Sequence, residues 1–122
     1  VTVPAVNVAA SVDFYCRLGL ELIVSSPHYA RFQCPVGESS FSVHLVSELP
    51  HPSQTVVYFE VEALDERVRE LQRAGLEFSQ EPRDESWLWR EARISDPSGN
   101  VICLYWAGNN RLNPPWRIRP DE

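Results

Sequence analysis

Residues 87–106 read WLWREARISDPSGNVICLYW, which is two stretches of alternating side chains joined by the turn sequence DPSGN at 96–100. Alternate positions of the first stretch carry Trp87, Trp89, Glu91 and Arg93. A period of two places successive side chains on opposite faces of a strand, and an early proline with a late glycine suits a tight turn. The segment therefore predicts a β-hairpin. Tryptophans interleaved with a carboxylate and a guanidinium indicate a lined pocket, and the simpler alternative is an edge hairpin whose tryptophans cover a core.

The composition indicates a folded, acidic chain of single-domain size. It has 122 residues, 43% of them hydrophobic, and a formal net charge of -6. Nucleic-acid binding needs a basic stripe, which the eleven scattered Arg residues do not provide. No apolar run reaches the roughly 18 residues of a membrane span, and the sequence opens without a signal-peptide pattern. We therefore expect neither a nucleic-acid nor a membrane partner. The three cysteines, Cys16, Cys34 and Cys103, lack CxxC spacing and predict reduced thiols in a cytoplasmic protein.

The predicted elements fall into two similar series. The first consists of strand 1–8, helix 9–18, and strands 20–25, 29–34 and 41–47. Ser11 is the expected helix cap and Gly19 the expected stop. After a proline-bearing connector at 48–54, the second consists of strand 55–62, a charged helix ending at Gly75, and strands 76–80, 87–95 and 101–106. Each series is therefore βαβββ.

An internal repeat relates the two series, because RLGLEL at 17–22 aligns with RAGLEF at 73–78. We predict an α+β fold in which two βαβββ modules form an eight-stranded mixed sheet curled into a cup, with the helices outside. The modules would cover residues 1–50 and 51–107 of one structural domain. The tail, 108–122, is expected to lie on the surface with Trp116 as an anchor.

Three motifs carry a resemblance to a known superfamily: FY at 14–15 followed by LGLEL at 18–22, AGLEF at 74–78, and WREARISDPSGN at 89–100. Over about residues 1–107 the sequence resembles the vicinal oxygen chelate superfamily, the glyoxalase, bleomycin-resistance and dioxygenase group. This resemblance implies the cup and a homodimer. It leaves the reaction open, because the same scaffold hosts lyases, epimerases, dioxygenases, thiol transferases and drug-binding proteins.

The resemblance also implies where a metal would bind. Metal-dependent members use residues on the first and last strand of each half, which correspond here to His44, Cys103, Val56 and a residue before Val1. Imidazole and thiolate ligate metals and valine does not, and related enzymes commonly carry glutamate where this chain has Cys103. A catalytic ion normally has three protein ligands. No cofactor is predicted, and a divalent metal held by His44 and Cys103 stays open.

The same strand register predicts which side chains line the cup. The predicted ligand-binding residues are Tyr29, Arg31, Gln33, His44, Tyr58, Glu60, Trp87, Trp89, Glu91, Arg93, Cys103 and Tyr105. Aromatic rings would supply burial and stacking, and polar groups would orient the ligand. Arg31 and Arg93 suit a carboxylate or phosphate. Glu60 and Glu91 are the candidate catalytic bases if they are desolvated.

Each of these assignments has a structural alternative. Arg31 with Glu60, or Arg93 with Glu91, would form ion pairs that only balance burial. His44 would be a satisfied histidine, Cys103 a small buried thiol, and Asp96 and Asn100 turn residues without chemistry.

We therefore predict a protein that binds a small aromatic or carboxylated molecule in the cup without a complete metal triad. The alternative is a metal-dependent enzyme of the same superfamily, a glyoxalase-like lyase or isomerase or an extradiol-type dioxygenase. A second alternative is a non-catalytic structural or regulatory domain whose own side chains fill the cup.

Overall fold

The computed structural model describes residues 1–48 and 55–120. Its contacts divide the chain into two compact units. Unit 1 comprises Val1–Val56 and Ser95–Val101, and unit 2 comprises Val57–Ile94 and Ile102–Glu122. No helix among the described residues is long and apolar enough to cross a membrane.

The first four-stranded sheet lies in unit 1. Its elements are β1 (Thr2–Ala5), α1 (Val8–Leu18), β2 (Glu21–Ser26), β3 (Tyr29–Gln33) and β4 (Ser40–Leu45). The strand order is β1-β4-β3-β2, with β1 parallel to β4 and β3 antiparallel to both of its neighbours. The sheet is therefore mixed, as expected for a βαβββ module.

Helix α1 is capped at both ends by residues suited to the task. The Asn7 side chain accepts a hydrogen bond from the Ala10 N–H at 3.0 Å, so Asn7 is the N-cap and the predicted cap, Ser11, lies buried within the helix. Gly19 ends the helix with φ 111, a left-handed conformation that glycine adopts without a Cβ clash. The helix end at Gly19 was predicted correctly. The N-cap was assigned to Ser11 instead of Asn7 because serine and asparagine are both good capping residues.

Alternation in β3 and β4 separates an apolar face from a polar one. Ala30, Phe32, Phe41 and Val43 are buried. The rings of Tyr15 on α1 and Phe41 on β4 lie 4.7 Å apart between centroids, so the helix packs on this face. The other face carries the remaining alternate residues of both strands, and it is the face on which the sequence placed its ligand-binding residues. Leu45, at the end of β4, is exposed.

The second four-stranded sheet has the order β5-β8-β7-β6. Its elements are β5 (Val56–Glu60), α2 (Leu64–Arg73), β6 (Gln80–Asp84), β7 (Arg90–Ser95) and β8 (Val101–Trp106), followed by a 3₁₀ helix, Gly108–Arg111. Leu64, Val68 and Leu71 form the buried stripe of α2, at the spacing of one face of an amphipathic helix. Arg90 donates two hydrogen bonds to Asp65, at 2.7 and 2.8 Å, which ties β7 to α2. The α+β class and the two βαβββ modules are confirmed.

Several local predictions for unit 2 were wrong. The strand expected at 76–80 lies at Gln80–Asp84 instead, and Trp87 belongs to the turn before β7 rather than to the strand. Leu88 has φ 66, which breaks the alternation predicted from residue 87 onward. Trp116, expected to anchor the tail, is 56% exposed.

The turn between β7 and β8 belongs to unit 1 and is held by a buried carboxylate. Asp96 accepts hydrogen bonds from the Tyr15 hydroxyl at 2.6 Å, the Ser98 and Asn100 N–H groups at 2.9 Å each, and Asn100 Nδ2 at 2.8 Å. Burial and the neighbouring carboxylate raise the pKa of Tyr15 well above its usual range. Ser98 and Asn100 also bond the backbone of the opening strand region, at Val6 N and Pro4 O. Through its hydrogen bond with Tyr15, Asp96 therefore also joins the turn to α1.

Candidate functional site

Three aromatic rings form a cluster in unit 2. Trp89, directly before β7, stacks on Tyr105 of β8 with centroids 4.5 Å apart and planes 15° from parallel. Tyr58 of β5 meets both rings edge-on, at 6.1 and 5.7 Å. Tyr105 is buried, whereas Tyr58 is 43% exposed, so the cluster has a covered base and an open rim. Such a cluster offers ring faces and edges to a planar ligand.

Glu91 is the buried carboxylate beside this cluster. Its side chain is 1% exposed. One oxygen accepts the Trp87 indole N–H at 2.7 Å, and the other accepts from Arg93 Nη2 at 3.3 Å. The predicted Arg93 and Glu91 ion pair thus exists, and both carboxylate oxygens have donors. Glu91 positions Trp87 and Arg93, and its burial keeps it from direct contact with a surface ligand.

Arg93 presents its guanidinium at the rim of the cluster. Besides Glu91, its Nη2 lies 3.4 Å from the Tyr58 hydroxyl, and the side chain is 31% exposed. A guanidinium paired at one nitrogen keeps further N–H groups for a second partner. Arg93 can therefore orient a polar group on a ligand that rests on the rings.

Cys103 lies on β8 within the same sheet and is fully buried. Burial, together with the negative charge of Glu91, raises the pKa of its thiol to about 12, although Arg93 opposes the shift. Nucleophilic attack and metal ligation both use the thiolate. The protonated thiol is therefore a poor nucleophile.

A labelling experiment checks whether the buried Cys103 thiol is protonated and unreactive in the native protein. In the native protein at pH 8, iodoacetamide is expected to modify the exposed Cys16 and to leave Cys103 intact, because a pKa raised from 9.0 to about 12 cuts the thiolate fraction roughly a thousandfold. Peptide mass mapping reads both sites in one sample, so Cys16 serves as the internal control. Cys103 should react once urea unfolds the chain. Labelling of native Cys103 at the Cys16 rate would contradict the assignment.

Glu60, the other candidate base, is engaged by the backbone. Its Oε2 accepts the N–H groups of Ala107 and Gly108 at 3.2 and 3.1 Å, and Arg111 lies 3.5 Å from its Oε1. These contacts hold the start of the 3₁₀ helix, Gly108–Arg111. Sequence reasoning missed Arg111 because the tail showed no periodicity. With Arg111 as its ion-pair partner, Glu60 is satisfied by structural contacts.

Unit 1 brings together its own predicted residues on one face. Tyr29 is the cross-strand partner of His44, Arg31 of Ser42, and Gln33 of Ser40. The Tyr29 hydroxyl lies 2.7 Å from Ser42 Oγ and accepts from Arg31 Nε at 2.9 Å. Hydrogen bonds with Ser42 and Arg31 lower the pKa of Tyr29 below its usual value. This face is therefore polar and hydrogen-bonded, with Tyr29 at its centre.

The described donor atoms do not fit a three-ligand metal centre. Among residues 1–48 and 55–120, no group of three or more His, Cys, Asp or Glu side chains is arranged to hold an ion. In unit 1 the β1 residue opposite His44 is Pro4, which has no donor atom in its side chain. Val56, at another position where metal-dependent members carry a ligand, also has no donor atom in its side chain.

The predicted site residues thus form two groups. Those of unit 1 are Tyr29, Arg31, Gln33 and His44, and those of unit 2 are Tyr58, Glu60, Trp87, Trp89, Glu91, Arg93, Cys103 and Tyr105. Their roles in ligand binding stay predictions.

Solved structures share this fold at low sequence identity. A glyoxalase/bleomycin resistance protein/dioxygenase from Nocardioides has a TM-score of 0.77 and 21% identity, with 98% of this chain and 87% of that chain covered. A bleomycin-binding protein complexed with bleomycin has a TM-score of 0.71 and 18% identity, over 86% of this chain and 93% of that chain. A lactoylglutathione lyase from Agrobacterium tumefaciens has a TM-score of 0.72 and 16% identity, over 87% and 90%.

At identities under 25%, these likenesses concern the fold alone. No curated protein sequence matches the chain significantly. The profile of the Glyoxalase/Bleomycin resistance protein/Dioxygenase superfamily matches residues 1–104. The chain belongs to the glyoxalase, bleomycin resistance protein and dioxygenase superfamily.

Proposed function

We propose that this protein binds a small aromatic or carboxylated molecule, with the ring cluster of unit 2 as the contact for the ligand's aromatic part. The observation that carries the proposal is the stacked pair Trp89 and Tyr105 with the half-exposed Tyr58 at its edge. Ring stacking and apolar burial supply affinity in small-molecule sites. The structure of a bleomycin-binding protein with the same fold was solved in complex with bleomycin, which supports the proposal that this fold can serve ligand binding.

Arg93 is the proposed orienting group. It stands beside Tyr58, and Glu91 balances part of its charge at a nitrogen contact of 3.3 Å. A partly balanced guanidinium favours a hydrogen-bonding group or a carboxylate at the ligand's edge over a bare hydrocarbon. Trp87, held by its indole N–H on Glu91, would flank the same ligand.

Binding is proposed to proceed without a complete metal triad. The supporting observations are the prolyl partner of His44 and, among the described residues, the lack of three clustered His, Cys, Asp or Glu side chains. The metal-dependent enzyme stays the alternative, and a chelator separates the two.

The test is a titration with 1-naphthoate, a planar aromatic carboxylate, and with bleomycin as a second probe. Saturable quenching of tryptophan fluorescence is expected, because a ring stacked on Trp89 alters its emission. Pretreatment with EDTA is expected to leave the dissociation constant unchanged, and His44→Ala should behave like the parent. Absence of saturable binding of both probes would contradict the binding proposal. Loss of binding after EDTA, restored by added metal, would instead support the enzyme alternative.

Homodimerisation and a cytoplasmic location belong to the same proposal. The superfamily resemblance motivates the dimer, and free thiols at Cys16, Cys34 and Cys103 suit a reducing compartment. Light scattering is expected to give twice the 14.0 kDa of one chain. A monomer mass at micromolar concentration would argue against the dimer.

A further inference from the structure

Arg31 lies on the polar face of the unit-1 sheet, beside Tyr29. Its cross-strand partner is Ser42, and Tyr29 precedes it by two residues on the same face. Among the described residues of unit 1, no carboxylate forms an ion pair with Arg31, whereas Arg90, Arg93 and Arg111 each pair with a carboxylate of their own unit. Its charge is therefore available to a partner from solution.

The guanidinium is held in place before any ligand arrives. Arg31 Nε donates to the Tyr29 hydroxyl at 2.9 Å, and that hydroxyl is 2.7 Å from Ser42 Oγ. Ser42 is buried, so the chain of hydrogen bonds is anchored in the sheet. The guanidinium carbon also lies 5.5 Å from the centroid of the Tyr29 ring. A side chain fixed in this way loses less conformational entropy on binding than a free surface arginine.

The atoms left free indicate the ligand's chemistry. With Nε engaged, Nη1 and Nη2 form the open edge of the guanidinium, and this pair matches the two oxygens of a carboxylate. One positive charge balances a carboxylate in full. A phosphate, which carries about -1.5 to -2 at neutral pH, would be balanced only in part.

We propose that Arg31, supported by Tyr29 and Ser42, forms a carboxylate-binding site on the polar face of the unit-1 sheet. The occupant is the carboxylate of a small organic acid, bound end-on to Nη1 and Nη2. The site is built from unit-1 residues alone and does not depend on the ring cluster of unit 2.

The experiment uses propionate as the probe, because it carries a carboxylate and no ring. In ¹H–¹⁵N spectra at constant ionic strength, propionate is expected to shift the Arg31 Nε–H signal and the amides of Tyr29 and Ser42 saturably. The neutral amide propionamide should not. Arg31→Gln should weaken propionate binding about tenfold or more, and Tyr29→Phe about threefold. Arg31→Lys keeps the positive charge but removes the planar pair of Nη1 and Nη2 donors, so an intermediate loss of propionate affinity is expected.

The matched control is Arg17→Gln, which removes one positive charge from α1, where Arg17 pairs with Asp13 at 3.1 Å. This variant should bind propionate like the parent. Equal affinity in Arg31→Gln, or an equal loss in Arg17→Gln, would overturn the site. Tighter binding of inorganic phosphate than of propionate would overturn the assignment to a carboxylate. Because propionate has no ring, failure here leaves the naphthoate result intact, and failure of naphthoate binding leaves this result intact.

Discussion

Replacing Asp96 with alanine is expected to lower the free energy of unfolding by about 3–5 kcal/mol. The carboxylate is buried and accepts four hydrogen bonds, two of them from backbone N–H groups of its own turn. Alanine would leave the Tyr15 hydroxyl and the N–H groups of Ser98 and Asn100 without an acceptor away from water, which costs more than the bonds themselves contribute. Urea unfolding followed by circular dichroism measures the loss.

Two further variants test the cause of this destabilisation. Tyr15→Phe removes one donor and keeps the carboxylate, so a loss of about 1–2 kcal/mol is expected. Asp13→Ala is the matched control, since Asp13 pairs with Arg17 on the exposed side of α1 and should change stability by about 0.5 kcal/mol or less. A loss in Asp96→Ala as small as in Asp13→Ala would show that the turn holds without its carboxylate.

Replacing Trp89 with leucine is expected to weaken 1-naphthoate binding about 30-fold, or about 2 kcal/mol. Leucine keeps an apolar side chain beside Tyr105. It removes the indole ring, which stacks on Tyr105 with centroids 4.5 Å apart and is the proposed contact for the ligand's ring. The affinity is measured by isothermal titration calorimetry, because the substitution also removes the fluorescent reporter. Trp89→Phe, which restores a ring, should recover part of the loss.

The matched control for this variant is Trp116→Leu. Trp116 lies on the tail, is 56% exposed, and takes no part in the ring cluster. Its replacement should leave both the affinity and the circular dichroism spectrum unchanged. If Trp116→Leu weakens binding as much as Trp89→Leu does, the ligand contacts the tail and the proposed site is misplaced.

The sequence predicted the fold where one side of an element is buried. Alternation in β3 and the glycine after α1 identified a sheet face and a helix end correctly, because the core selects residue types at a fixed period. It failed for β6, whose residues QEPRD lie at an edge of the sheet and pair only with β7. An edge strand exposed on most sides carries no apolar pattern, and Pro82 is tolerated there.

The candidate site was predictable in part. Alternation indicated that Trp89, Glu91 and Arg93 belong to one face. It could not show that the Glu91 side chain is buried and accepts hydrogen bonds from Trp87 and Arg93. Glu60 was read as a candidate base because nothing in the tail indicated the 3₁₀ helix whose N–H groups it accepts. Leu88 at φ 66 had no local signal either, since leucine is disfavoured in that conformation. Its turn is closed by hydrogen bonds from Glu85 N–H to Trp89 O and from Leu88 N–H to Glu85 O.

The hydrogen bonds of the Asp96 turn bear on how the chain folds during synthesis. They join residues 81 to 96 positions apart: Tyr15 to Asp96, Val6 to Ser98, and Pro4 to Asn100. Such long-range closure slows folding because the loop entropy is lost before the contacts form. The first module, although continuous in sequence, therefore stays incomplete until the ribosome has released residue 100. A gene cut at the linker between the repeats would encode a first half that lacks the carboxylate for its own tyrosine.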